Sequence, residues 1–381
     1  MQESCDAVVI GGGIFGCYAA LYLAAKGMRV VLLEKETNLL QKASLVNQAR
    51  LHSGYHYPRS IATAKMSDAH KERFTAEHRP FIHSTFEKYY AIDRYASFTD
   101  AAQFERFCQY LRIPCVRVER HPLFNFERLE AVFRTVEHSF DPVLIAAWYR
   151  QRIQAQPNIV VRLQTQVEAA EAERDEWRIQ IRMSDRSQPL PLMTLRAPIV
   201  INATYTATNA INRLFGVRSL ALTHEISEIA FAASPELQNI GFTVMDGYFA
   251  SIMPYGLSGL LSISSVAYTH HTISYDDLPT FDCQRPQEDP RCRPEAPGIC
   301  TICPRRPPTN AHKMIAQVRQ YLAEGVQLQY FFSYFTIKTK LKASYIDDGR
   351  PTEIALLRER PRFYCLFAGK INSIYEIEKM L

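Results

Sequence analysis

The sequence predicts an α/β protein with a Rossmann-like nucleotide-binding domain and a second, discontinuous mixed-sheet α+β domain. Three observations lead to this prediction. An apolar stretch at 7–10 enters a glycine-rich turn, followed by a small-residue helix and a second apolar strand. Further strand patterns fall into separate blocks along the chain. The 381 residues are too many for one ordinary core, and the 47% hydrophobic content can fill two.

The first βαβ unit contains a Gly-x-Gly-x-x-Gly turn at Gly11, Gly13 and Gly16. Gly11 permits a tight turn, Gly13 lets the backbone approach a pyrophosphate, and Gly16 allows the helix to pack closely on the strand. Free N–H groups at the helix start can receive a phosphate. Glu34 ends the second strand, where its carboxylate can accept hydrogen bonds from a ribose diol. The unit therefore predicts dinucleotide binding, against the alternative of a glycine turn without function.

The segment 44–60 is the second informative stretch. It contains Arg50, His52, His56 and Arg59 together with two tyrosines, without helical or strand periodicity. Such a concentration of aromatic and basic side chains favours a structured loop beside a ligand, and a solvated polar loop is the alternative.

Together, the glycine motif and the segment 51–62 resemble the D-amino-acid-oxidase-type FAD superfamily. Within it, the sequence most resembles the branch of L-2-hydroxyglutarate oxidase, glycerol-3-phosphate dehydrogenase and glycine oxidase. The resemblance implies FAD as the cofactor, Glu34 on the adenosine ribose, and the loop around His52 against the isoalloxazine ring. In some relatives a histidine at the position of His52 attaches the flavin covalently.

Later segments alternate between strand and helix patterns. A strand at 88–92 precedes a helix capped by Thr99 or Asp100, and Asp141 with Pro142 begins a helix that runs to about 154. Further strands are predicted at 133–140, 158–167, 177–182, 199–205 and 331–337, and a helix at 209–215. The stretches 222–226, 242–249 and 259–266 are predicted to be successive antiparallel strands. The tail predicts a strand, Gly369 and a terminal helix.

This order of elements resembles the family's discontinuous arrangement. The resemblance assigns 1–80, 139–216 and 341–381 to the FAD-binding domain, and 81–138 and 217–340 to the substrate domain. The cofactor contacts that it implies are Gly11, Gly13, Ile14, Phe15, Gly16, Glu34, Lys35, Arg50, Leu51, His52, Val167, Ala203, Thr204, Gly369, Lys370 and Ile371. Tyr205 departs from the family pattern, which has a glycine there.

The candidate catalytic residues lie in the segment 44–60 and in the second domain. His52 or His56 is a candidate base because imidazole titrates near neutral pH, and Arg50 and Arg59 are candidates to clamp a substrate carboxylate. Surface ion pairing is the alternative for both arginines. Tyr248, His270 and His271 are candidates for the substrate wall, with ordinary half-buried sheet positions as the alternative.

The segment 280–310 is rich in proline and contains four of the nine cysteines: Cys283, Cys292, Cys300 and Cys303. Four thiolates can hold zinc, but the spacing of the first pair fits poorly, so we favour a disordered surface loop without metal and keep zinc binding as the alternative. The remaining five cysteines lie in apolar segments, where reduced, buried thiols are expected.

The predicted function is oxidation of a C–H bond next to an amine or hydroxyl of a small anionic amino acid or 2-hydroxy acid, with hydride passing to the flavin and electrons to oxygen or a quinone. A degenerate FAD-binding protein without turnover and a nicotinamide-dependent dehydrogenase are the alternatives. The net charge of +5 is scattered, which argues against nucleic acid as a partner. The chain lacks a signal-like start and a long apolar stretch, so we expect a cytoplasmic protein, with peripheral attachment to the membrane left open.

Overall fold

The computed structural model describes residues 2–61, 64–65, 70–183, 191–284, 292–342, 353–367 and 369–381. The α-helices within these ranges are α1 (Ile14–Ala25), α2 (Lys71–Glu77), α3 (Ala101–Leu111), α4 (Pro142–Gln154), α5 (Thr208–Leu214) and α6 (Ala311–Arg319). The strands are β1 (Gln2–Ser4), β2 (Ala7–Ile10), β3 (Val30–Leu33), β4 (Arg50–Leu51), β5 (Ile82–His83), β6 (Glu87–Asp93), β7 (Cys115–Val118), β8 (Leu129–Thr135), β9 (His138–Phe140), β10 (Ile159–Arg162), β11 (Thr165–Glu173), β12 (Glu176–Met183), β13 (Met193–Ala197), β14 (Ile199–Asn202), β15 (Leu222–Ala233), β16 (Ile240–Met245), β17 (Ala250–Pro254), β18 (Leu261–Ser265), β19 (His270–Ser274), β20 (Gln329–Leu341), β21 (Glu353–Glu359) and β22 (Arg362–Phe367).

A six-stranded sheet in the order β10-β3-β2-β14-β22-β21 forms the nucleotide-binding half. All its neighbouring pairs are parallel except β21–β22. Every residue of β2, β3 and β14 is buried because both faces are covered, which explains their continuous apolar sequences. Helices α1 and α4 pack on one face, and a four-stranded sheet in the order β1-β13-β12-β11 covers the other.

The second large sheet is mixed. It has the order β19-β15-β18-β17-β16-β6-β8-β7, and β20 pairs antiparallel with β15. Helix α6 packs on this sheet through Met314 and Val318. The observed architecture confirms the predicted fold class.

Helix starts were predicted well from capping residues. Asp141 accepts hydrogen bonds from the N–H groups of Val143 and Leu144 at 3.0 and 2.9 Å, and Pro142 is the first residue of α4. Asp100 forms a capping box with Gln103 at the start of α3.

Several strand predictions were wrong in detail. The expected strand at 133–140 is two strands, β8 and β9, and that at 158–167 breaks at Gln164, where φ is 51°. The expected strand at 242–249 ends at Met245, and β17 was missed. The three stretches expected to be successive strands are not neighbours in that order, because β18 and β17 lie between β15 and β16. Those neighbouring pairs are antiparallel, and β16 also pairs in parallel with β6. The terminal helix is a 3₁₀ helix, Ile371–Lys379.

The carboxyl ends of β2, β3 and β14 open toward the second sheet. A small sheet of β4, β9 and β5 connects the two halves of the chain. The cleft between them therefore lies where the strands of an open α/β sheet ordinarily present ligands. Within the described ranges, no helix has the length and apolar character needed to cross a bilayer.

Candidate active site

A cavity of about 580 Å³ runs along this cleft. Its walls come from the glycine turn, the end of β3, the loop 40–48, the start of β11, the residues after β14, strand β20 and the tail after β22. Most predicted cofactor contacts line it: Gly11, Gly13, Ile14, Phe15, Glu34, Lys35, Arg50, His52, Val167, Ala203, Thr204, Gly369, Lys370 and Ile371. Gly16 and Leu51 do not line the cavity.

The glycine turn is shaped by close backbone approach. Gly11 has φ of +104°, and a Cβ on it would lie 2.6 Å from the carbonyl oxygen of Ala203. A Cβ on Gly16 would lie 1.8 Å from the carbonyl oxygen of Gly11. Gly13 is the N-cap of α1 and has no side chain to cap it, and Ser44 accepts a hydrogen bond from the Ile14 N–H at 3.0 Å, so the helix start is only partly capped within the chain. These features fit the pyrophosphate of a dinucleotide.

Glu34 lies at the same end of the cavity. Its carboxylate accepts hydrogen bonds from the N–H groups of Gly12 at 2.7 Å and Glu36 at 2.8 Å. These bonds fix the carboxylate beside the glycine turn and leave acceptor capacity for a diol. Lys35 and Lys42 both pair with Glu36, at 2.8 and 2.7 Å. Burial, and then the charge of Lys42, lower the pKa of Lys35.

Tyr205 occupies the position where the resembled family has glycine. Its φ is +55°, so its backbone is in the region that glycine favours. The side chain points toward β20, where its hydroxyl donates to the carbonyl oxygen of Thr339 and accepts from the Thr339 N–H, both at 3.0 Å. The ring stacks on Phe367 with centroids 5.7 Å apart. The tyrosine thereby keeps the glycine-like turn and ties it to the second sheet.

Arg50 lies in a buried cluster of polar groups beside the cavity. Its side chain is 1% exposed, and its Nε is 3.5 Å from a carboxylate oxygen of Glu137. Its Nη2 donates to the hydroxyls of Thr243, at 3.0 Å, and Ser251. Its Nη1 is buried and has no hydrogen-bond partner among the described residues. A buried N–H of a guanidinium is costly unless an acceptor meets it, so Nη1 is free to bind an anion.

Glu137 compensates much of this buried charge. Burial raises the pKa of Glu137, but the charge of Arg50 and the contact with His52 outweigh it and hold that pKa well below its usual range. Tyr90 also donates to this carboxylate, at 3.0 Å. Lys88 is buried in the same cluster; burial, and then the charge of Arg50, lower its pKa well below the usual value.

His52 and His56 lie together, with ring centroids 5.8 Å apart. Burial, and then the charge of Lys370, lower the pKa of His52 to about 3. Burial also lowers the pKa of His56 well below its usual value. The expectation that either imidazole titrates near neutral pH therefore does not hold in this environment, and both are neutral there.

The tail supplies a cation beside His52. Lys370 is 9% exposed and donates to the hydroxyl of Tyr57, with its ammonium 4.1 Å from the centre of that ring. The Tyr57 ring in turn lies 5.9 Å from that of His52. The loop around His52 and the tail after β22 therefore meet at one end of the cavity.

Four other candidates lie elsewhere. Arg59 pairs with Asp246, and Tyr248 is 67% exposed and contacts Phe98; neither lines the cavity. His270 lies 3.1 Å from Glu225, and His271 lies 2.8 Å from Glu228. The structure brings together Arg50, His52 and His56, and leaves Arg59, Tyr248 and the histidine pair outside the cavity.

The four cysteines of the segment 280–310 are free thiols. Within the described ranges, no group of three or more His, Cys, Asp or Glu side chains is arranged to hold a metal ion. Residues 285–291 of this segment are outside the described residues. Its part 293–300 lines the cavity, apart from Pro294.

Sequence reasoning missed Glu137, Lys88 and Thr243. Glu137 and Lys88 are charged residues within apolar strand patterns, at 133–140 and 88–92. A charge inside a buried strand requires a partner, and that signal could have identified the cluster. Thr243 carries no comparable signal because hydroxyls are common in strands.

Solved structures share this fold. Glycine oxidase from Geobacillus kaustophilus superposes with a TM-score of 0.71 at 16% identity, covering 98% of this chain and 91% of that one. L-alpha-glycerophosphate oxidase from Mycoplasma pneumoniae, with FAD bound, has a TM-score of 0.70 at 16% identity, covering 99% and 93%. NikD, an amino acid oxidase essential for nikkomycin biosynthesis, has a TM-score of 0.68 at 17% identity, covering 98% and 92%.

Curated relatives match only locally. The FAD-dependent monooxygenase FPY4 of Fusarium mangiferae is 47% identical over 72 residues, which are 19% of each chain. The FAD-dependent monooxygenase kojA of Aspergillus flavus is 47% identical over 55 residues, 14% of this chain and 13% of that protein. The match thus spans about a fifth or less of these relatives.

The family model described as FAD dependent oxidoreductase matches residues 6–288, about three quarters of the chain. This match includes the glycine turn, Glu34 and the Arg50 cluster, and it confirms the resemblance seen in the sequence. The chain therefore belongs to the D-amino-acid-oxidase (DAO) family of FAD dependent oxidoreductases, and FAD is its cofactor.

Proposed function

We propose that this protein oxidises a C–H bond next to an amine or hydroxyl of a small anionic substrate, an amino acid or 2-hydroxy acid. The observation that carries the proposal is the buried guanidinium of Arg50, whose Nη1 lacks a hydrogen-bond partner among the described residues beside the cavity. A carboxylate is the acceptor that a guanidinium matches best. Several structural neighbours are named as oxidases of amino acids or of glycerophosphate.

Bound FAD supplies a two-electron oxidant for such a bond. Arg50 holds the substrate carboxylate, and Lys370 adds positive potential at the same end of the cavity. His52, which lines the cavity, and His56 beside it stay neutral, so they do not repel the two cations. Covalent attachment of flavin through His52 remains a prediction, which acid release of the flavin tests directly.

We infer the orientation of FAD from the residues that line the cavity. Glu34 and Val167 would bind the adenosine, the glycine turn the pyrophosphate, and the residues around His52 and Lys370 the isoalloxazine. The domain boundaries proposed from the sequence agree with this orientation, because the six-stranded sheet draws its strands from 1–80, 139–216 and 341–381. The substrate domain would comprise 81–138 and 217–340. Oxygen or a quinone would accept the electrons, and the proposed location is the cytoplasm.

Monooxygenation is the second candidate, because the curated relatives with 47% local identity are named FAD-dependent monooxygenases. The two candidates differ in the fate of oxygen. A monooxygenase inserts one oxygen atom of O₂ into its product, whereas an oxidase leaves both oxygen atoms outside it.

The test uses anaerobic holoprotein and a panel of amino acids and 2-hydroxy acids. Bleaching of the flavin by a member of the panel, without a nicotinamide, supports the proposal. Bleaching that needs a nicotinamide, followed by ¹⁸O from ¹⁸O₂ in the product, supports monooxygenation. A flavin that stays oxidised under both conditions favours a protein that binds FAD without turnover.

A further inference from the structure

Residues 292–303, which we call the strap, contradict the expectation of a disordered surface loop for this segment. The strap forms one wall of the FAD cavity through Arg293, Glu295, Ala296, Pro297, Gly298, Ile299 and Cys300. The match to the family model ends at residue 288, before the strap begins.

The strap is attached to three different walls of the cleft. Arg293 lies 3.5 Å from the side-chain oxygen of Gln166, at the end of the cavity that holds Glu34 and Val167. Lys42 donates to the carbonyl oxygen of Pro297 at 2.7 Å. These two contacts fasten the strap to the nucleotide-binding half of the chain.

The third attachment joins the strap to the second sheet. The hydroxyl of Thr301 donates to the carbonyl oxygen of Phe335 and accepts from the Phe335 N–H, both at 3.0 Å. Phe335 lies on the cavity side of β20, whereas Thr301 itself does not line the cavity. The strap thus reaches from the adenosine end of the cleft to the edge of β20.

Internal hydrogen bonds give the strap a defined shape. Arg293 and Ala296 pair through their backbones, with N–H to oxygen contacts of 2.9 and 3.4 Å. The N–H of Gly298 donates to the sulfur of Cys292 at 3.2 Å, and that of Cys303 donates to the carbonyl oxygen of Cys300 at 3.1 Å. A segment with its own hydrogen bonds and three attachments can open and close as a unit.

We propose that the strap closes over the bound FAD and that its opening controls both uptake and release of the cofactor. The proposal depends on the cofactor alone and not on the substrate proposed above. Loosening an attachment raises the population of the open state. Release and uptake both pass through that state, so both become faster.

Thr301→Val tests this proposal because it removes the attachment to Phe335 without changing a cavity wall. Stopped-flow fluorescence with the apoprotein and FAD measures association, and displacement of bound FAD measures dissociation. We expect both rate constants to rise roughly three- to tenfold, because opening of the variant strap breaks about one net hydrogen bond fewer than in the wild type. Thr272→Val, on the exposed face of β19, is the matched control and should leave both constants unchanged.

Unchanged rate constants in Thr301→Val would overturn the proposal. Faster dissociation with unchanged association would also overturn it, because that pattern indicates a weakened contact with FAD and not a gate. If Thr301→Val does not fold, footprinting of the wild-type protein decides.

Footprinting uses the native thiols. Cys300 belongs to the strap and lines the cavity, whereas Cys115 lies on β7 with comparable partial exposure. FAD should slow alkylation of Cys300, read by mass spectrometry, at least severalfold relative to apoprotein, and leave Cys115 unaffected. Equal alkylation of Cys300 with and without FAD would contradict a strap that closes on the cofactor. These measurements need no turnover, so they stand whether or not a substrate is found.

Discussion

A guanidinium that is 1% exposed needs an acceptor for each of its N–H groups, and the Nη1 of Arg50 has none among the described residues. Glu137, Thr243 and Ser251 hold the rest of the side chain in place. This arrangement pre-organises Arg50, which lines the cavity, and would lower the cost of ordering its side chain for the anion that we propose it binds.

Arg50→Lys keeps the positive charge but loses the forked geometry. We expect the dissociation constant of short carboxylates such as acetate and pyruvate, read from perturbation of the flavin absorbance, to rise about ten- to a hundredfold. Arg59→Lys is the matched control, since Arg59 pairs with Asp246 outside the cavity and its substitution should change little. Equal effects of the two substitutions would refute a specific role for Arg50.

The lowered pKa of His52 makes the stability of the apoprotein depend on pH. This pKa is about 3 in the folded chain and about 6.5 when unfolded, so the unfolded state binds more protons between these values. The stability of apoprotein should therefore be full above pH 6.5 and fall as the pH decreases toward 3, by up to about 1.4 kcal/mol per pH unit.

His52→Gln should make this dependence shallower in denaturant titrations at pH 4.5 to 7, while the contribution of His56, whose pKa is also lowered, remains. The sequence identified His52 as a site residue but assigned it an ordinary imidazole pKa, because burial and the nearby charge of Lys370 come from distant parts of the chain. A wild-type slope that His52→Gln leaves unchanged would show that other groups cause it.

At the scale of elements, the turn between β2 and α1 combines a positive φ with a close backbone approach. Gly11→Ala places a Cβ 2.6 Å from the carbonyl oxygen of Ala203, whereas Gly27→Ala has a similar φ but nothing within 4 Å. Both substitutions should cost about 1 kcal/mol or more in stability from backbone strain.

Only Gly11→Ala should also weaken FAD binding, by about tenfold or more, because the turn that we propose holds the pyrophosphate must shift. Isothermal titration of apoprotein with FAD measures the difference. Similar FAD affinities for the two variants would mean that the turn tolerates the added methyl group.

The bond from Tyr205 to β20 joins the residues after β14 to the second sheet. Tyr205→Phe removes the hydroxyl that bonds to Thr339 and leaves the stacked ring in place. We expect a loss of about 1–2 kcal/mol in stability and faster hydrogen exchange in β20. Exchange that is unchanged in β20 would show that the strand is held by β15 alone.

Sequence patterns did not predict where some strands end. Residues 158–167 were predicted to be one strand. Gln164 adopts a left-handed conformation, and β10 before it and β11 after it belong to different sheets. Capping residues, by contrast, act locally, and the predicted start of α4 at Pro142 was confirmed.

Across the whole molecule, the βαβ motif, Glu34 and the loop around His52 predicted the fold class and a dinucleotide, and the family resemblance that they carry implied FAD. The partners of Arg50 could not be predicted, because Glu137, between β8 and β9, and Thr243, in β16, are far from Arg50 in the sequence. The wall formed by the strap was missed for the same reason, since its contacts with Gln166 and Phe335 are long-range.

We propose that Arg50 would hold the carboxylate of a substrate whose adjoining C–H bond the flavin would oxidise. The most direct test compares anaerobic flavin bleaching by an active amino acid or 2-hydroxy acid with bleaching by its neutral amide. We expect the acid to bleach the wild-type flavin at least about tenfold faster than the amide does. Arg50→Lys should remove most of this preference for the acid. Equal rates for acid and amide, or a preference that persists in Arg50→Lys, would contradict the proposal.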